Sequence, residues 1–285
     1  MSWKACMATS AGPTSFGPLL YAGRVSECIA VSRELGFEGI EIGMRSPAEL
    51  DQRELDALLR AGGLTLAALA SGRMFGEEGL CLSDPSEEGR AAAVARINEL
   101  VSFGAPFGAP VIVGLARGNR PPDGDSDGAL ARFVASMSEC ADHAAALGSG
   151  LVIEAINRYE TALLNTAAQT VAAIEQIGRP NVTVLLDVFH MNIEEVDMAA
   201  AVRATGPLLG HFHLVDSNRR AAGLGHIHYD DIVAALAASG YDGWLSAEVL
   251  PLPSDRAAAE QARRSATSIN QSLETSSQSM ISRRI

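Results

Sequence analysis

Lysine is almost missing from this chain of 285 residues: Lys4 is its only lysine, and the remainder of its 22 basic residues are arginine. Enzymes that work through a Schiff base need a lysine amine in the active site, so Lys4 is the sole candidate for that chemistry. It lies at the start of the first predicted strand, which in a barrel of parallel strands is the end that does not carry active sites. Covalent amine catalysis and pyridoxal phosphate chemistry are therefore disfavoured.

Cysteine motifs, early histidines and long apolar runs are missing too. The four cysteines lack the CxxC or CxxH spacing of zinc sites, and no histidine precedes His143. The longest apolar runs, about eight residues, are too short for a membrane span. The N-terminus has no charged-then-apolar signal layout, so we expect a cytoplasmic protein without a membrane partner. A formal net charge of −12 repels polyanions, which argues against nucleic acid as a partner.

Short β-type runs alternate with longer amphipathic stretches, and this alternation predicts the fold. The predicted strands are 4–9, 39–43, 64–70, 110–115, 151–156, 182–189, 209–215 and 243–249. Between them lie predicted helices such as 21–35, 87–103, 129–147 and 166–177. Eight strand–helix units without a break in composition predict an α/β protein, a (β/α)₈ TIM barrel. A doubly wound open sheet, the alternative, would carry GxGxxG after its first strand, and that motif is absent.

The domain organisation follows from the same pattern. Residues 1–270 form a single predicted (β/α)₈ barrel domain. Residues 271–285 (QSLETSSQSMISRRI) are polar and low in complexity, so we expect a mobile C-terminal tail.

Four predicted strands in the second half of the chain each carry one ionisable side chain near the C-terminal end: Glu154, Asp187, His213 and Glu248. Such positions converge on one mouth of a parallel barrel. A lone carboxylate among apolar strand residues is costly to bury unless it is paired or metal-bound. The set is rich in oxygen with one imidazole, which suits Mn²⁺, Mg²⁺ or Co²⁺. The pattern predicts a site for one divalent metal ion, although each residue alone also fits an ion pair at the edge of the core. For His211, expected one layer deeper, a packed core histidine and a part in the site both stay open.

Three segments around these residues carry a family resemblance: IEAINRYET (153–161), LLDVFHMNIEE (185–195) and GHFHLVDSNRR (210–220). They resemble the sugar phosphate isomerase/epimerase superfamily of xylose isomerase-like TIM barrels, and within it the D-tagatose 3-epimerase-like enzymes. The resemblance implies that Glu154, Asp187, His213 and Glu248 hold the metal, with Mn²⁺ the first choice. It also implies that Glu160, His190 and Arg219 contact the carbonyl end of the substrate.

Two regions depart from the ketose 3-epimerase pattern. The eighth strand continues as AEVLPLPSDRAAAE, where those epimerases have Glu-Pro-Phe followed by glycines. ASGRMFGEEGLCLSDP and GLARG follow the third and fourth strands, and these features look more like the 5-keto-L-gluconate epimerase branch. Arg73 and Arg117 stand at the mouth ends of these two strands, where we expect bidentate hydrogen bonds to a substrate carboxylate. Pairing with nearby acids such as Glu77 is the alternative for both.

The resemblance implies a metal-dependent isomerase that inverts the carbon beside the ketone of a ketose or keto-sugar acid. Glu154 and Glu248, on strands five and eight, would remove and return the proton. An aldose–ketose isomerase of the hydroxypyruvate type, a dehydratase or lyase of the inositol pathway and a non-catalytic sugar-binding barrel stay open on this scaffold. A DNA-repair endonuclease of the superfamily needs a site for three zinc ions with histidines on early strands. This chain has no histidine before His143. The small-molecule partner is thus a sugar or sugar acid, and the resemblance implies a homo-oligomer, a dimer or tetramer.

Overall fold

The computed structural model describes residues 2–119 and 124–282, with side chains as far as residue 273. Its strands are β1 Lys4–Ser10, β2 Gly39–Gly43, β3 Thr65–Ala70, β4 Val111–Val113, β5 Leu151–Glu154, β6 Val182–Asp187, β7 Leu209–His213 and β8 Trp244–Ala247. Every strand pairs in parallel with the next, and β8 pairs with β1, so the sheet closes in the order β1 to β8. The structure therefore confirms the predicted (β/α)₈ barrel.

Helices connect the strands on the outside of the barrel. They are α1 Val25–Leu35, α2 Gln52–Gly62, α3 Gly72–Glu78, α4 Glu87–Gly104, α5 Ser126–Ala146, α6 Ala167–Ile177, α7 Val188–Glu194, α8 Met198–Thr205, α9 Asp230–Ala238 and α10 Asp255–Ser282. Short 3-10 helices span Pro47–Glu49, Ala105–Phe107, Leu115–Arg117 and Gly206–Leu208. Local sequence sets the helix ends: the Asp51 carboxylate caps α2, and Thr166 and Gln169 form a capping box at the start of α6.

The interior of the barrel has an apolar part and a polar part. Ala68, Ile112, Val152 and Leu185, from β3 to β6, pack against one another inside the barrel. Because strand side chains alternate between two faces, Glu154 and Asp187 lie on the same face as Val152 and Leu185, two residues closer to the C-terminal mouth. Glu154 and Asp187 therefore lie one layer above these apolar side chains, at the end of the barrel where active sites form.

Strands β4 to β8 each end two residues before the C-terminal end that the sequence predicts, whereas β2 and β3 end where predicted and β1 extends one residue further. The sixth strand was expected to reach residue 189, yet β6 ends at Asp187, whose side chain accepts hydrogen bonds from the backbone N–H groups of Phe189 and His190 and so begins α7. The fourth strand likewise stops at Val113, because the chain turns into the 3-10 helix Leu115–Arg117. The change at β4 brings Leu115, which was expected on the strand, into the lining of the mouth.

The last helix extends past the expected domain boundary at residue 270. Asn270 hydrogen-bonds the backbone N–H and carbonyl of Trp3 at 2.9 Å each, and Leu273 is buried. α10 continues to Ser282, so the backbone of residues 271–282 belongs to this helix. The expectation for residues 283–285 lies outside the described part of the chain. None of the helices described combines the length and apolar character needed to cross a membrane.

Candidate active site

The four metal-ligand candidates lie together at the C-terminal mouth. Glu154, Asp187 and His213 are the last residues of β5, β6 and β7, and Glu248 directly follows β8. Asp187 and His213 are register partners on neighbouring strands, which explains their closeness. All four side chains are buried, and one ligand atom from each lies within 4.8 Å of the others.

The spacing of these atoms fits a single small cation. His213 Nδ1 lies 3.1 Å from Asp187 Oδ2, 3.7 Å from Glu248 Oε2 and 3.8 Å from Glu154 Oε1. An ion about 2.1 Å from each of its ligands separates neighbouring ligands by about 3 Å and opposite ones by about 4.2 Å. Three buried carboxylates also repel one another unless a cation lies among them. The donor set and the spacing therefore fit one divalent metal ion.

The orientation of His213 depends on a buried carboxylate that the sequence analysis missed, Glu41 of β2. Its Oε2 lies 3.3 Å from His213 Nε2, 2.8 Å from His211 Nε2 and 2.8 Å from Ser246 Oγ. An ionised carboxylate only accepts hydrogen bonds, so Nε2 of His213 donates to Glu41, and in the neutral ring that a metal requires the lone pair would lie on Nδ1, which faces the ligand cluster. Glu41 stands between two isoleucines in GIEIG, and a charged residue in a strand of apolar neighbours was the signal available.

The contact with Glu41 also explains the position of His211. It is buried, one layer below His213, and its Nε2 contacts Glu41. Of the two roles left open for it, the structure gives the hydrogen-bonded core histidine.

Arg219 points into the cluster, while its neighbour Arg220 is exposed. Its Nη1 lies 2.6 Å from Asp187 Oδ2 and 3.0 Å from Glu248 Oε2, and its Nη2 lies 3.1 Å from His190 Nε2. The guanidinium stacks 4.6 Å from the centroid of the Phe189 ring. Its backbone has φ 60°, a conformation that a non-glycine residue keeps only where its surroundings hold it.

Glu160 and His190 are joined by Asn157, which the sequence analysis quoted in its motif without giving it a role. Asn157 Nδ2 donates to Glu160 Oε1 at 2.9 Å and lies 2.7 Å from His190 Nδ1. His190 Nε2 is 3.6 Å from Glu154 Oε1, so the ring faces the ligand cluster. The structure thus brings all three residues expected at the carbonyl end, Glu160, His190 and Arg219, to one wall of the site.

The carboxyl groups of the metal-free site differ in their affinity for protons. Burial raises the pKa of Glu154 and of Glu248, and the nearby Asp187 carboxylate adds to both rises. Burial alone would also raise the pKa of Asp187, but Arg219 and His190 hold it well below its ordinary value. Burial lowers the pKa of His190 to about 3, so its ring is neutral at neutral pH. In the metal-free site two carboxyl groups therefore hold their protons more tightly than usual, while the third stays ionised.

Arg73 is in the mouth, but its charge is already compensated. Its Nη1 lies 2.8 Å from Glu49 Oε2, its Nε 2.8 Å from Glu77 Oε1, and its Nη2 3.1 Å from Glu77 Oε2 and 3.2 Å from the carbonyl of Pro13. Of the two expectations for Arg73, the pairing with nearby acids is the one observed.

Arg117 does not face the site. It is fully buried, and its guanidinium donates to the backbone carbonyls of Gly114, Glu154, Leu163 and Leu164. The expected contact with a substrate carboxylate does not fit this position, because the donors of Arg117 face backbone oxygens. The side chain instead ties the end of β5 to the loop that follows it.

A cavity of about 340 Å³ opens above the cluster. Its polar wall includes Glu154, Glu160, His190, Arg219 and Glu248, and its apolar wall includes Leu19, Ile112, Leu115 and Ile156. A pocket of this size and mixture suits a small polar molecule with one apolar face.

Comparison with known proteins places the chain in a family. Residues 29–269 match the family described as xylose isomerase-like TIM barrel. The D-psicose 3-epimerase of Agrobacterium fabrum is 37% identical over 214 residues, which is 74% of each chain. The ketose 3-epimerase of Arthrobacter globiformis is 33% identical over 214 residues, 74% of this chain and 73% of that protein. A solved structure of L-ribulose 3-epimerase superposes with a TM-score of 0.84 at 26% identity and covers 98% of both chains. With its closed barrel and its carboxylate-rich mouth, this chain belongs to the xylose isomerase-like TIM barrel family.

Proposed function

We propose that this chain is a metal-dependent epimerase of a ketose, an enzyme of the isomerase class that inverts the carbon next to the ketone. The observation that carries the proposal is the pair Glu154 and Glu248, two buried carboxyl groups that line one cavity and belong to one cluster of metal-ligand candidates. The relatives described above act on ketoses, by their names, and the family match over residues 29–269 spans the strands that supply this pair.

The proposed metal is Mn²⁺, held by Glu154, Asp187, His213 and Glu248, since one imidazole among carboxylates suits a hard divalent ion. When bound, such an ion supplies Lewis-acid stabilisation of the negative charge that develops on the carbonyl oxygen. The remaining chemistry belongs to side chains of this protein.

Inversion requires that a proton leave carbon on one face and return on the other. Glu154 and Glu248 end β5 and follow β8, so they approach the cavity from different sides. General acid–base catalysis needs a proton-transfer group within reach of each face of the carbon, and both carboxyl groups line the cavity. One therefore takes the proton while the other supplies one, and their roles exchange when the substrate enters as the other epimer.

Arg219, His190 and Glu160 orient the substrate at its carbonyl end. The Arg219 guanidinium brings a fixed positive charge to the wall where oxygen charge develops. His190 is neutral and is held by Asn157, so it acts as a hydrogen-bonding group rather than as a charge. Glu160 is linked to the same Asn157 and accepts a hydroxyl hydrogen bond.

We further propose that the substrate is uncharged. The cavity wall carries two arginines, Arg73 and Arg219, and both are already paired with carboxylates. A substrate carboxylate or phosphate would enter a mouth that already holds Glu77, Glu154, Glu160 and Glu248. Repulsion from these groups disfavours the keto-sugar acid that the sequence left open.

We also propose three further properties of the protein. It is a cytoplasmic enzyme, it forms a homo-oligomer of two or four chains, and its small-molecule partner is a free sugar. Size-exclusion chromatography with light scattering measures the assembly directly. A monomer across the working concentration range would contradict the second property.

The test of the activity is NMR in D₂O with the Mn²⁺-loaded chain and a panel of ketoses and keto-sugar acids. We expect deuterium at C3 of a ketose together with formation of its C3 epimer. Exchange at C1 with an aldose product would instead establish an aldose–ketose isomerase. A loaded protein that exchanges no proton on any member of the panel would refute the proposal.

A further inference from the structure

The cavity has a second polar end, opposite the ligand cluster. In the closed barrel β3 lies across from β7, and α3 follows β3 directly. Gly72, Arg73, Gly76 and Glu77 of α3 line the cavity that Glu154, Arg219 and Glu248 line from the other side. A molecule whose carbonyl end lies at the ligand cluster therefore extends its remaining carbons toward Arg73 and Glu77.

Arg73 and Glu77 present donors and acceptors without a net positive charge. Four hydrogen bonds join the Arg73 guanidinium to Glu49, Glu77 and the carbonyl of Pro13. A guanidinium has five N–H donors, so one stays available for a ligand, and each Glu77 oxygen can accept a second hydrogen bond. Such a pair suits a hydroxyl group, which both donates and accepts, better than an anion.

α3 is fixed from outside as well. Arg45 lies 3.2 Å from Glu78 Oε1, and Arg96 lies 2.8 Å from Glu78 Oε2, on the side of the helix away from the cavity. The β1–α1 loop packs closely against the same cluster, since a Cβ on Gly12 would lie 2.9 Å from Glu49 Oε1 and 3.3 Å from Arg73 Nη2. Arg73 and Glu77 are thus held in place before any substrate arrives, which lowers the entropic cost of binding.

We propose that Arg73 and Glu77 are specificity-determining residues that hydrogen-bond the terminal hydroxyl groups of the ketose. This end of the cavity therefore selects sugars by the length of their carbon chain. The inference rests on the proposed function, because it takes the carbonyl end to lie at the ligand cluster. It replaces carboxylate binding by Arg73 with the recognition of neutral hydroxyls.

The experiment compares a ketose that reaches α3 with one that does not. We would measure kcat/KM of the Mn²⁺-loaded full chain for D-psicose, with six carbons, and for erythrulose, with four. The variants are Glu77→Gln and Arg73→Lys, and Glu88→Gln is the control, since it removes an exposed carboxylate in the first turn of α4 that does not line the cavity. Thermal unfolding of each variant checks that the barrel is intact.

We expect each of the two variants to lower kcat/KM for D-psicose by about 10- to 100-fold, the effect of losing hydrogen bonds to a charged group, and to leave erythrulose within about 2-fold. Glu88→Gln should change kcat/KM for neither sugar. If the wild type is active but the variants lose kcat/KM equally for both sugars, or lose none for D-psicose, the role of Arg73 and Glu77 in selecting sugar length is overturned while the proposed function stands. A wild type that epimerises no ketose would overturn the proposed function, and this inference with it.

Discussion

Glu41 offers the sharpest test of how the site is built. The change Glu41→Gln keeps the shape of the side chain and removes the charge that faces His213 Nε2 at 3.3 Å and His211 Nε2 at 2.8 Å. A neutral amide makes the imidazole of His213 a weaker base and no longer fixes the proton on Nε2. The lone pair of Nδ1, which faces Asp187, Glu154 and Glu248, is then less available to a metal.

The expected size of the effect follows from that contact. Loss of the hydrogen-bond partner of a metal-binding histidine weakens metal affinity by about 10- to 100-fold, which corresponds to about 1.4 to 2.7 kcal/mol. The three donors around Glu41 Oε2 (His211, His213 and Ser246) also lose a charged acceptor, so the free energy of unfolding should fall by about 1–3 kcal/mol. The two effects are separable, because one concerns the metal and the other the fold.

The assay is a titration of the purified chain with Mn²⁺, in which EPR measures the free aqueous ion. Glu38→Gln is the matched control: it removes a carboxylate three residues earlier, whose Oε2 accepts from the Ala5 N–H. Glu41→Asp keeps the charge but shortens the side chain, and it covers the case in which the glutamine variant does not fold. An Mn²⁺ affinity within 2-fold of wild type in folded Glu41→Gln would refute the reasoning, even if that variant were less stable.

Three further predictions concern the carboxyl pair, the metal-free state and the buried arginine. Glu248→Gln should keep the fold and lose about 10²- to 10⁴-fold in turnover, measured by proton exchange, and a near-normal rate would exclude the two-carboxylate mechanism. Burial raises the pKa of Glu154 to about 8 and of Glu248 to about 7, so the folded metal-free chain holds protons that the unfolded chain releases. Its stability should therefore fall as the pH rises from 5.5 to 8, and Mn²⁺ should raise the Tm more at pH 8 than at pH 5.5; calorimetry showing the reverse order would contradict this. Arg117→Met should lower the free energy of unfolding in urea by at least about 3 kcal/mol, because backbone carbonyls around Arg117 lose their donor, and a loss under about 1 kcal/mol would show that water replaces it.

The sequence was sufficient for the architecture because each strand is a short apolar run bounded by helical periodicity. All eight predicted strands occur, and β2 has the predicted bounds. The C-terminal ends of strands differ from the prediction where a side chain takes the backbone hydrogen bonds that the sheet would otherwise use. Asp187 caps α7 in this way, so β6 stops two residues before its predicted end. Such capping depends on one side-chain torsion, which hydrophobic patterns do not record.

The metal-ligand candidates were predictable from sequence, because their placement at the ends of consecutive strands follows from barrel topology. Glu41 was not, since its role depends on a partner, His213, that is 172 residues away along the chain. The two arginines show the same limit. Arg73 and Arg117 occupy equivalent places after neighbouring strands, yet one guanidinium lies in the mouth and the other is buried against backbone carbonyls. Only tertiary packing distinguishes these outcomes.

The two halves of the closed barrel supply different walls of the cavity. Strands β5 to β7 and the residue after β8 supply the ligand cluster Glu154, Asp187, His213 and Glu248, while the segments after β1 and β3 supply Leu19, Arg73 and Glu77 to the opposite wall of the cavity. If the proposed roles hold, mutations around Leu19, Arg73 and Glu77 can change which sugar is accepted without touching Glu154 or Glu248, whereas Glu41 of the first half must stay because it contacts His213. The preference for sugar length can then change under selection while the reaction stays constant, and a hybrid that joins this second half to the first half of a relative with a glutamate equivalent to Glu41 should keep the reaction and take its length preference from that relative.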